Sequence, residues 1–321
     1  MKQDEAKQVI KILTEALPYI QKFSKKICVV KYGGAAMTEN TLKNSFARDI
    51  ALMKQVGINV VVVHGGGPQI DNELNKVGIK RNFKDGIRIT DNNTIKIVSE
   101  TLTNLVNKEI VGLINKNGGN SIGIAKDNNT IKIVSETLTN LVNKEIVGLI
   151  NKNGGNSIGI AKDNNSVIKA KKYISKDQDY GYVGEIVDVD SNYLYDLMKS
   201  NYIPVIAPLG FDSDNNIFNI NADSAASAIA SHLSAEKLIF LTDQSGVLDD
   251  KEELISSLNF EEIESLINSN IITGGMLPKI KACLNALNNS AKAAHIVDGR
   301  IQHSVLLEIF TNEGIGTLVR K

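Results

Sequence analysis

Short continuous apolar runs alternate with stretches of helical period along most of the chain. Ile27–Lys31 (ICVVK) and Asn59–Val63 (NVVVV) have no polar alternation, the pattern of parallel strands buried on both faces. Asn40–Gln55, between them, carries helical spacing, so the three segments predict a βαβ unit. Further strands are predicted at Ile203–Ala207, Leu238–Leu241 and Ala294–Val297, with helices at Ala222–Leu233 and Leu277–Asn288. This alternation predicts an α/β fold: an open, mostly parallel sheet with helices on both faces. Val167–Val189, centred on Tyr180-Gly181-Tyr182, reads instead as an antiparallel hairpin. Residues 3–23 predict an amphipathic helix with Val9, Ile12, Leu13, Ala16 and Ile20 on its apolar face. Pro18 is expected to kink or divide it. That helix either packs on a partner subunit or caps its own domain.

The middle of the chain holds a tandem repeat. Asp91–Lys126 reads DNNTIKIVSETLTNLVNKEIVGLINKNGGNSIGIAK, and Asp127–Lys162 repeats it letter for letter. A third start at Asp163-Asn164-Asn165 then diverges. Solenoids need at least three units with atypical ends, so two perfect copies read as a recent duplication or a sequence-assembly error. Each copy encodes one helix (Ile95, Val98, Leu102, Leu105 and Val106 in the first) and, after Gly-Gly, a short strand at Ser121–Ala125. Identical copies compete for one slot, and the sequence leaves open which one fills it. The full 321 residues less one copy of 36 leaves 285.

Composition narrows the function classes. The length suits two domains or one large one, with a soft boundary near Ser234. Apolar residues make up 42% and charged residues 22%, enough for a sizeable core. The 36 basic and 36 acidic side chains cancel, which leaves no electrostatic footprint for nucleic acid. No apolar run reaches the ~18 residues of a membrane span, and the mixed charges of the N-terminal segment do not suit a signal peptide. Cys28 and Cys283, each in an apolar stretch, suit a reducing cytosol, and the four histidines are too dispersed for a zinc site. A cytoplasmic protein is expected, with no metal ligated by its own side chains and no tightly bound cofactor.

Glycine-rich turns follow strand-like or loop segments at Gly33-Gly34, Gly65-Gly66-Gly67 and Gly274-Gly275. Such a turn leading into a helix offers unpaired backbone N–H groups to an anion, or is simply a tight βα connection. Neither GxxxxGK[ST] nor GxGxxG occurs, so P-loop and standard dinucleotide readings fall away. Lys31 at a strand end and Lys279 after GGMLP are either solvated surface charges or a cationic cradle for phosphoryl oxygens. Asp223 suits a helix N-terminus by its charge alone. Arg88 is an ordinary surface arginine or a bidentate clamp for a carboxylate.

KYGG at 31–34, VVHGGGPQID at 62–71, DGIRIT at 85–90, FNINAD at 218–223, LTDQSGV at 241–247, IITGGMLPKI at 271–280 and HIVDGR at 295–300 together resemble the N-acetyl-L-glutamate kinases. These are enzymes of arginine biosynthesis with the amino acid kinase fold, an αβα sandwich in two lobes. The resemblance covers the chain apart from the extra copy. It implies an N-terminal arm at 1–25, an amino-acid-substrate lobe at 26–234 and an ATP lobe at 235–321. By position, Lys31 and Lys279 would stabilise the transferring phosphoryl group, with Asp223 organising them. Gly66, Gly67, Arg88 and Asn219 would hold the acceptor; Gly33, Gly34, Asp243, Gly246, Leu248, Thr273 and Gly274 would hold the nucleotide.

The chemistry implied is ATP-dependent phosphorylation of the γ-carboxylate of N-acetyl-L-glutamate. A carboxylate nucleophile, with a pKa near 4.3, is ionised at neutral pH and needs no general base. Mg²⁺ would arrive on ATP rather than in a protein cage. The N-terminal helix and the segment His295–Gly316 also resemble the arginine-inhibited members, which makes Tyr19, His295, Glu308 and Gly316 candidates for an L-arginine pocket. The same resemblance implies a homo-oligomer, dimer or hexamer, and admits a PII-type regulator. Aspartate, glutamate, carbamate and nucleotide kinases of the same fold are the nearest alternatives. A catalytically inactive arginine-binding or PII-partner protein is the alternative from another class.

Overall fold

The computed structural model describes residues 3–37, 39–84, 86–101, 148–152, 157–160, 167–175, 178–311 and 314–321. Its centre is the predicted parallel sheet. Strand β1 (Ile27–Tyr32) lies between β2 (Asn59–His64) and β11 (Lys237–Thr242), parallel to both. Outward from β2 come β8 (Ile203–Ile206) and β5 (Ser157–Ile160); outward from β11 come β13 (Ala294–Asp298), β14 (Thr317–Val319) and β12 (Ser257–Leu258). Pairing is parallel except between β13 and β14. The eight strands form one sheet, so the segments on either side of Ser234 share a continuous backbone ladder.

Why these runs become central strands follows from side-chain alternation. Val29, Val61 and Val63 enter one core cluster, while Cys28, Val30, Val60 and Val62 enter the other. Both faces are covered, so polar residues have no place in the middle of the runs. Helix α2 (Asn40–Gln55) covers one face through Phe46, Ile50 and Met53. Helix α6 (Ala222–His232) covers the other through Ala225, Ala226 and Ile229, and α8 (Met276–Asn288) through Ile280, Cys283 and Leu287. Both thiols are buried and unoxidised.

A smaller sheet, in the order β10-β9-β6-β7, stands over one end of the large one. It contains the predicted hairpin as β6 (Ile168–Lys172) and β7 (Gly184–Val189), antiparallel with an irregularity at Lys169/Ala170. Strands β9 (Leu209–Phe211) and β10 (Ile217–Asn219) complete it. A hairpin of β3 (Phe83–Lys84) and β4 (Ile87–Arg88) projects separately. The remaining helices are α3 (Gly67–Lys76), α4 (Asn92–Glu100), α5 (Ser191–Lys199), α7 (Phe260–Asn268) and α9 (Ser304–Phe310).

The structure bears on two further expectations. Helix α1 (Gln3–Phe23) runs through Pro18 without dividing. Thr14 and Pro18 are exposed, so the carbonyl that loses its partner can be hydrated. Of the repeat, secondly, the described residues include the start of the first copy and parts of the end of the second. Asp91 of the first copy caps α4, accepting from the Asn93 and Thr94 N–H groups. The helical residues 148–152 and strand β5 belong to the second copy, and Leu149 and Ile150 bury their side chains beside Val60 and Val62. The predicted helix positions Leu102, Leu105 and Val106 and the strand Ser121–Ala125 lie outside the described residues.

Candidate active site

Three elements bring three charges to one point. Lys31 occupies a position of β1 whose side chain faces α6, and it is 8% exposed. Asp223 lies in the first turn of α6, where Asn221 fixes the helix start by accepting from the Asp223 and Ser224 N–H groups. Lys279 is in the first turn of α8, entered through Gly274 at φ +52° and Gly275. Lys31 Nζ stands 3.1 Å from Asp223 Oδ1, and Lys279 Nζ donates to Oδ2 at 3.1 Å. Burial raises the Asp223 pKa, but the two ammonium groups outweigh it and hold the carboxyl below its usual range. One carboxylate against two ammoniums leaves a net positive charge.

Lys31 and Asp223 line a cavity of about 1060 Å³, whereas Lys279 reaches Asp223 from outside that lining. The lining also contains Gly33, Gly34, Gly66, Gly67, Arg88 and Asn219. Gly33 leaves room for its neighbour: a Cβ there would stand 2.8 Å from Lys31 Nζ and would push the ammonium aside. Gly66 is the N-cap of α3 without a side-chain cap, and Pro68 follows in the first turn, so the helix start presents its amides unpaired by any side chain.

Arg88 arrives from the opposite wall. Gly86 at φ +76° turns the β3–β4 hairpin, and the Arg88 guanidinium lies 4.5 Å from the centroid of Phe83. Its Nη2 donates to Asp71 Oδ1 at 2.6 Å, whereas Nη1 is buried without a partner. An unpaired buried donor costs about 1–3 kcal/mol, more when charged, which an incoming anion would offset. Asn219 donates from Nδ2 to Thr90 Oγ1 at 3.4 Å, and its backbone N–H pairs with the Tyr182 carbonyl. Thr90 is fully buried, so the Asn219 amide is oriented from behind.

The expected nucleotide residues divide. Gly33 and Gly34 line the cavity; Asp243, Gly246, Leu248, Thr273 and Gly274 do not. They occupy the loops after β11 and before α8, at the carboxyl edge of the sheet. Gly246 has φ +150°, and a Cβ there would meet Leu254 and Thr317. Thr273 and Gly274 are exposed. No His, Cys, Asp and Glu cluster among the described residues could hold a metal ion.

A second charged cluster forms at β13 and α9. His295 Nδ1 is 2.6 Å from Glu308 Oε1, and Lys237 Nζ is 3.0 Å from His295 Nε2. Burial lowers the His295 pKa despite Glu308, so the neutral ring donates from Nδ1 and accepts at Nε2. Glu308 Oε2 accepts from the Ile315 and Gly316 N–H groups at 2.8 and 3.2 Å. Lys237 also lies over Phe23 at the end of α1, and Tyr19 packs against the adjoining core. His295, Glu308 and Gly316 therefore belong to one neighbourhood, bordered by the core cluster that Tyr19 packs against. Lys237, Asp71, Phe83 and Thr90 were not singled out in the sequence. Asp71 ends the motif VVHGGGPQID, the one signal that could have marked it.

Residues 26–298 match the model of the amino acid kinase family. An acetylglutamate kinase of Aquifex aeolicus is 44% identical over 318 residues, covering 96% of each chain. That of Ruthia magnifica is 46% identical, covering 97% of this chain and 95% of its own. Among solved structures, an N-acetylglutamate synthase from Neisseria gonorrhoeae complexed with coenzyme A and N-acetylglutamate superposes with a TM-score of 0.75 at 22% identity, over 97% of this chain and 63% of that one. Giardia lamblia carbamate kinase bound to AMP-PNP gives 0.55 at 15% identity, over 92% and 98% of the two chains. The α/β sheet with its helices on both faces is the fold these proteins share, and the chain belongs to the amino acid kinase family, among its acetylglutamate kinases.

Proposed function

We propose that this chain transfers the terminal phosphoryl group of ATP to the γ-carboxylate of N-acetyl-L-glutamate, with Lys31, Asp223 and Lys279 at the reacting centre. The observation that carries the reading is the surplus positive charge of that triad beside a cavity lined by Lys31, Asp223 and Arg88. A carboxylate oxygen attacks phosphorus, the bond from phosphorus to the ADP oxygen breaks, and ADP leaves. The nucleophile is already ionised, so no proton has to move first. The obstacle is charge: an anion must approach a polyanion. Lys31 and Lys279 offset the charge on the migrating group, and the amides of Gly66 and Gly67 at the start of α3 add partial positive charge.

Asp223 positions rather than abstracts, because both its oxygens engage ammonium groups. No cluster of metal-ligating side chains occurs among the described residues, so on this reading Mg²⁺ comes with the ATP phosphates as part of the substrate complex. Arg88 and Asn219 grip the α-carboxylate and the acetamido group. The loops at 243–248 and 271–274 hold the nucleotide beyond the cavity, with Gly33 and Gly34 toward its phosphates. On this reading residues 26–234 form the acceptor lobe and 235–321 the ATP lobe, and the reacting centre lies where Asp223 meets Lys279.

The test is hydroxamate trapping of the acyl phosphate with ATP and each acceptor in turn. N-acetylglutamate should exceed glutamate, aspartate and carbamate by at least a hundredfold in kcat/KM. Turnover favouring an unacetylated acceptor would overturn the assignment, and no turnover with any would favour the binding-protein alternative.

Inhibition by L-arginine is the second part of the proposal. Its support is the buried Glu308, which combines with His295 and Lys237 beside the end of α1. A guanidinium entering there would take over Glu308 from the His295 Nδ1–H. The exposed Ile10 and Leu17 on α1 support a homo-oligomer built through that helix. Velocity unchanged by millimolar arginine would remove the effector role, and a monomer in analytical ultracentrifugation would remove the oligomer.

A further inference from the structure

An acid in the wall of a cavity meant for an acidic acceptor is out of place unless something neutralises it. Asp71 is such an acid. Its Oδ1 takes the Arg88 Nη2 hydrogen bond at 2.6 Å, and its Oδ2 accepts from Arg81 Nη1 at 3.3 Å. One carboxylate between two guanidiniums leaves a net positive charge, the same arithmetic as at the reacting centre.

The placement is specific. The β3–β4 hairpin that carries Arg88 has only two residues in each strand, a weak frame for a long side chain. Phe83 supports the guanidinium plane on one side, but it is itself half exposed. Helix α3 is firmer, anchored in the core by Ile70 and Leu74. On it Gly67 and Asp71 are four residues apart, so they share a face, and both line the cavity. A single helix therefore sets the amides at its own start and the direction of Arg88. With Nη2 committed to Asp71, the guanidinium is held at the cavity wall with its Nη1 buried and still unpartnered.

We propose that Asp71 is a positioning residue that fixes Arg88 toward the acceptor's α-carboxylate, and so selects dicarboxylic acceptors over those bearing the reacting carboxylate alone. The inference rests on the reading of Arg88 given above. It deepens that reading by naming the residue that makes the arginine selective.

The experiment uses the full chain as Asp71→Asn and Arg88→Ala, with ATP and N-acetyl-L-glutamate. The comparison ligand is 4-acetamidobutyrate, which keeps the reacting carboxylate and the acetamido group and lacks the α-carboxylate. It is read as an inhibitor competing with N-acetylglutamate, so that its own turnover is immaterial. Asp71→Asn should raise KM for N-acetylglutamate about tenfold, with kcat, KM for ATP and the inhibition constant of the analogue within about twofold of wild type. Asp71→Glu should recover part of the loss. Asp71→Ser provides the same readout should the amide not fold. Equal losses toward both ligands, or no loss with Asp71→Asn while Arg88→Ala loses discrimination, would overturn the positioning role alone. Unchanged discrimination in Arg88→Ala would overturn the reading of Arg88 and this proposal with it.

Discussion

The two buried charge clusters of this molecule are made of similar parts and are wired in opposite ways. At the reacting centre, Lys31 and Lys279 share one carboxylate, and Lys31 and Asp223 line the large cavity. At β13, Glu308 is met by a neutral imidazole and two backbone N–H groups, and Lys237 donates into the same imidazole. The first cluster carries charge its own residues do not cancel. The second satisfies its carboxylate internally, and a ligand enters only by displacing a donor already in place. Unmet charge in a cavity is a demand for substrate, whereas satisfied charge in a core is first of all structure.

The sharpest way to break this contrast is to remove a lysine. Lys31→Ala and Lys279→Ala should each lower kcat by about a hundredfold to a thousandfold with the fold retained, as steady-state kinetics and circular dichroism would register. Wild-type turnover in both would make the open cluster structural too. Its pH signature follows from the depressed Asp223 pKa. A carboxyl lowered on folding contributes stability in full above its unfolded value of about 3.9. That contribution is lost as pH falls through the lower folded value, and Asp223→Asn should abolish this acid limb in melting curves.

Glu308→Ala tests the closed cluster. It strands the Ile315 and Gly316 N–H groups and the His295 Nδ1–H, and should cost about 3 kcal/mol in urea unfolding, with far less effect on kcat than either lysine variant. An unfolding midpoint equal to wild type would mean that Glu308 is held for a ligand only.

A smaller effect concerns His64, which ends β2 fully buried beside the glycine turn. Burial pulls its pKa down from 6.5 to about 4, and its hydrogen bond with the Gly65 carbonyl only partly opposes this. The unfolded chain binds a proton between those values and the folded chain does not, so stability falls as pH drops from 6.5 toward 4. The expected loss is about 2 kcal/mol by pH 5, and the melting temperature of His64→Leu should vary correspondingly less between pH 7.5 and 5.

The smallest effect is expected from deleting 36 residues, since removing either copy of the repeat produces the same chain. Neither cluster draws a residue from the repeat, so kcat/KM should stay within about threefold. A tenfold loss would show that the second copy supports the site.

How far the sequence carried this picture differs from residue to residue. ICVVK and NVVVV gave β1 and β2 because a strand covered on both faces has no room for polar alternation. Lys31, Asp223 and Lys279 could each be named from their motifs, yet alone each was as well explained by a surface charge or a helix start. Asp71 was invisible as a partner because its hydrogen bond to Arg88 spans 17 residues and depends on how a hairpin folds over α3. The expected ATP residues were also read as one pocket with Gly33 and Gly34, whereas the loops after β11 and before α8 stand apart from the cavity.

By itself, then, the sequence determined the central strands β1, β2, β8, β11 and β13, the helices between them that carry the strongest period, and the residue types available for phosphoryl chemistry, because periodicity and hydrophobicity are local properties of the chain. Tertiary structure alone decided that β11 lies beside β1, that two lysines 248 positions apart share Asp223, and that Glu308 finds its partners within the core. Charge pairing and strand order are set by distance in space, and only a packed core fixes those distances.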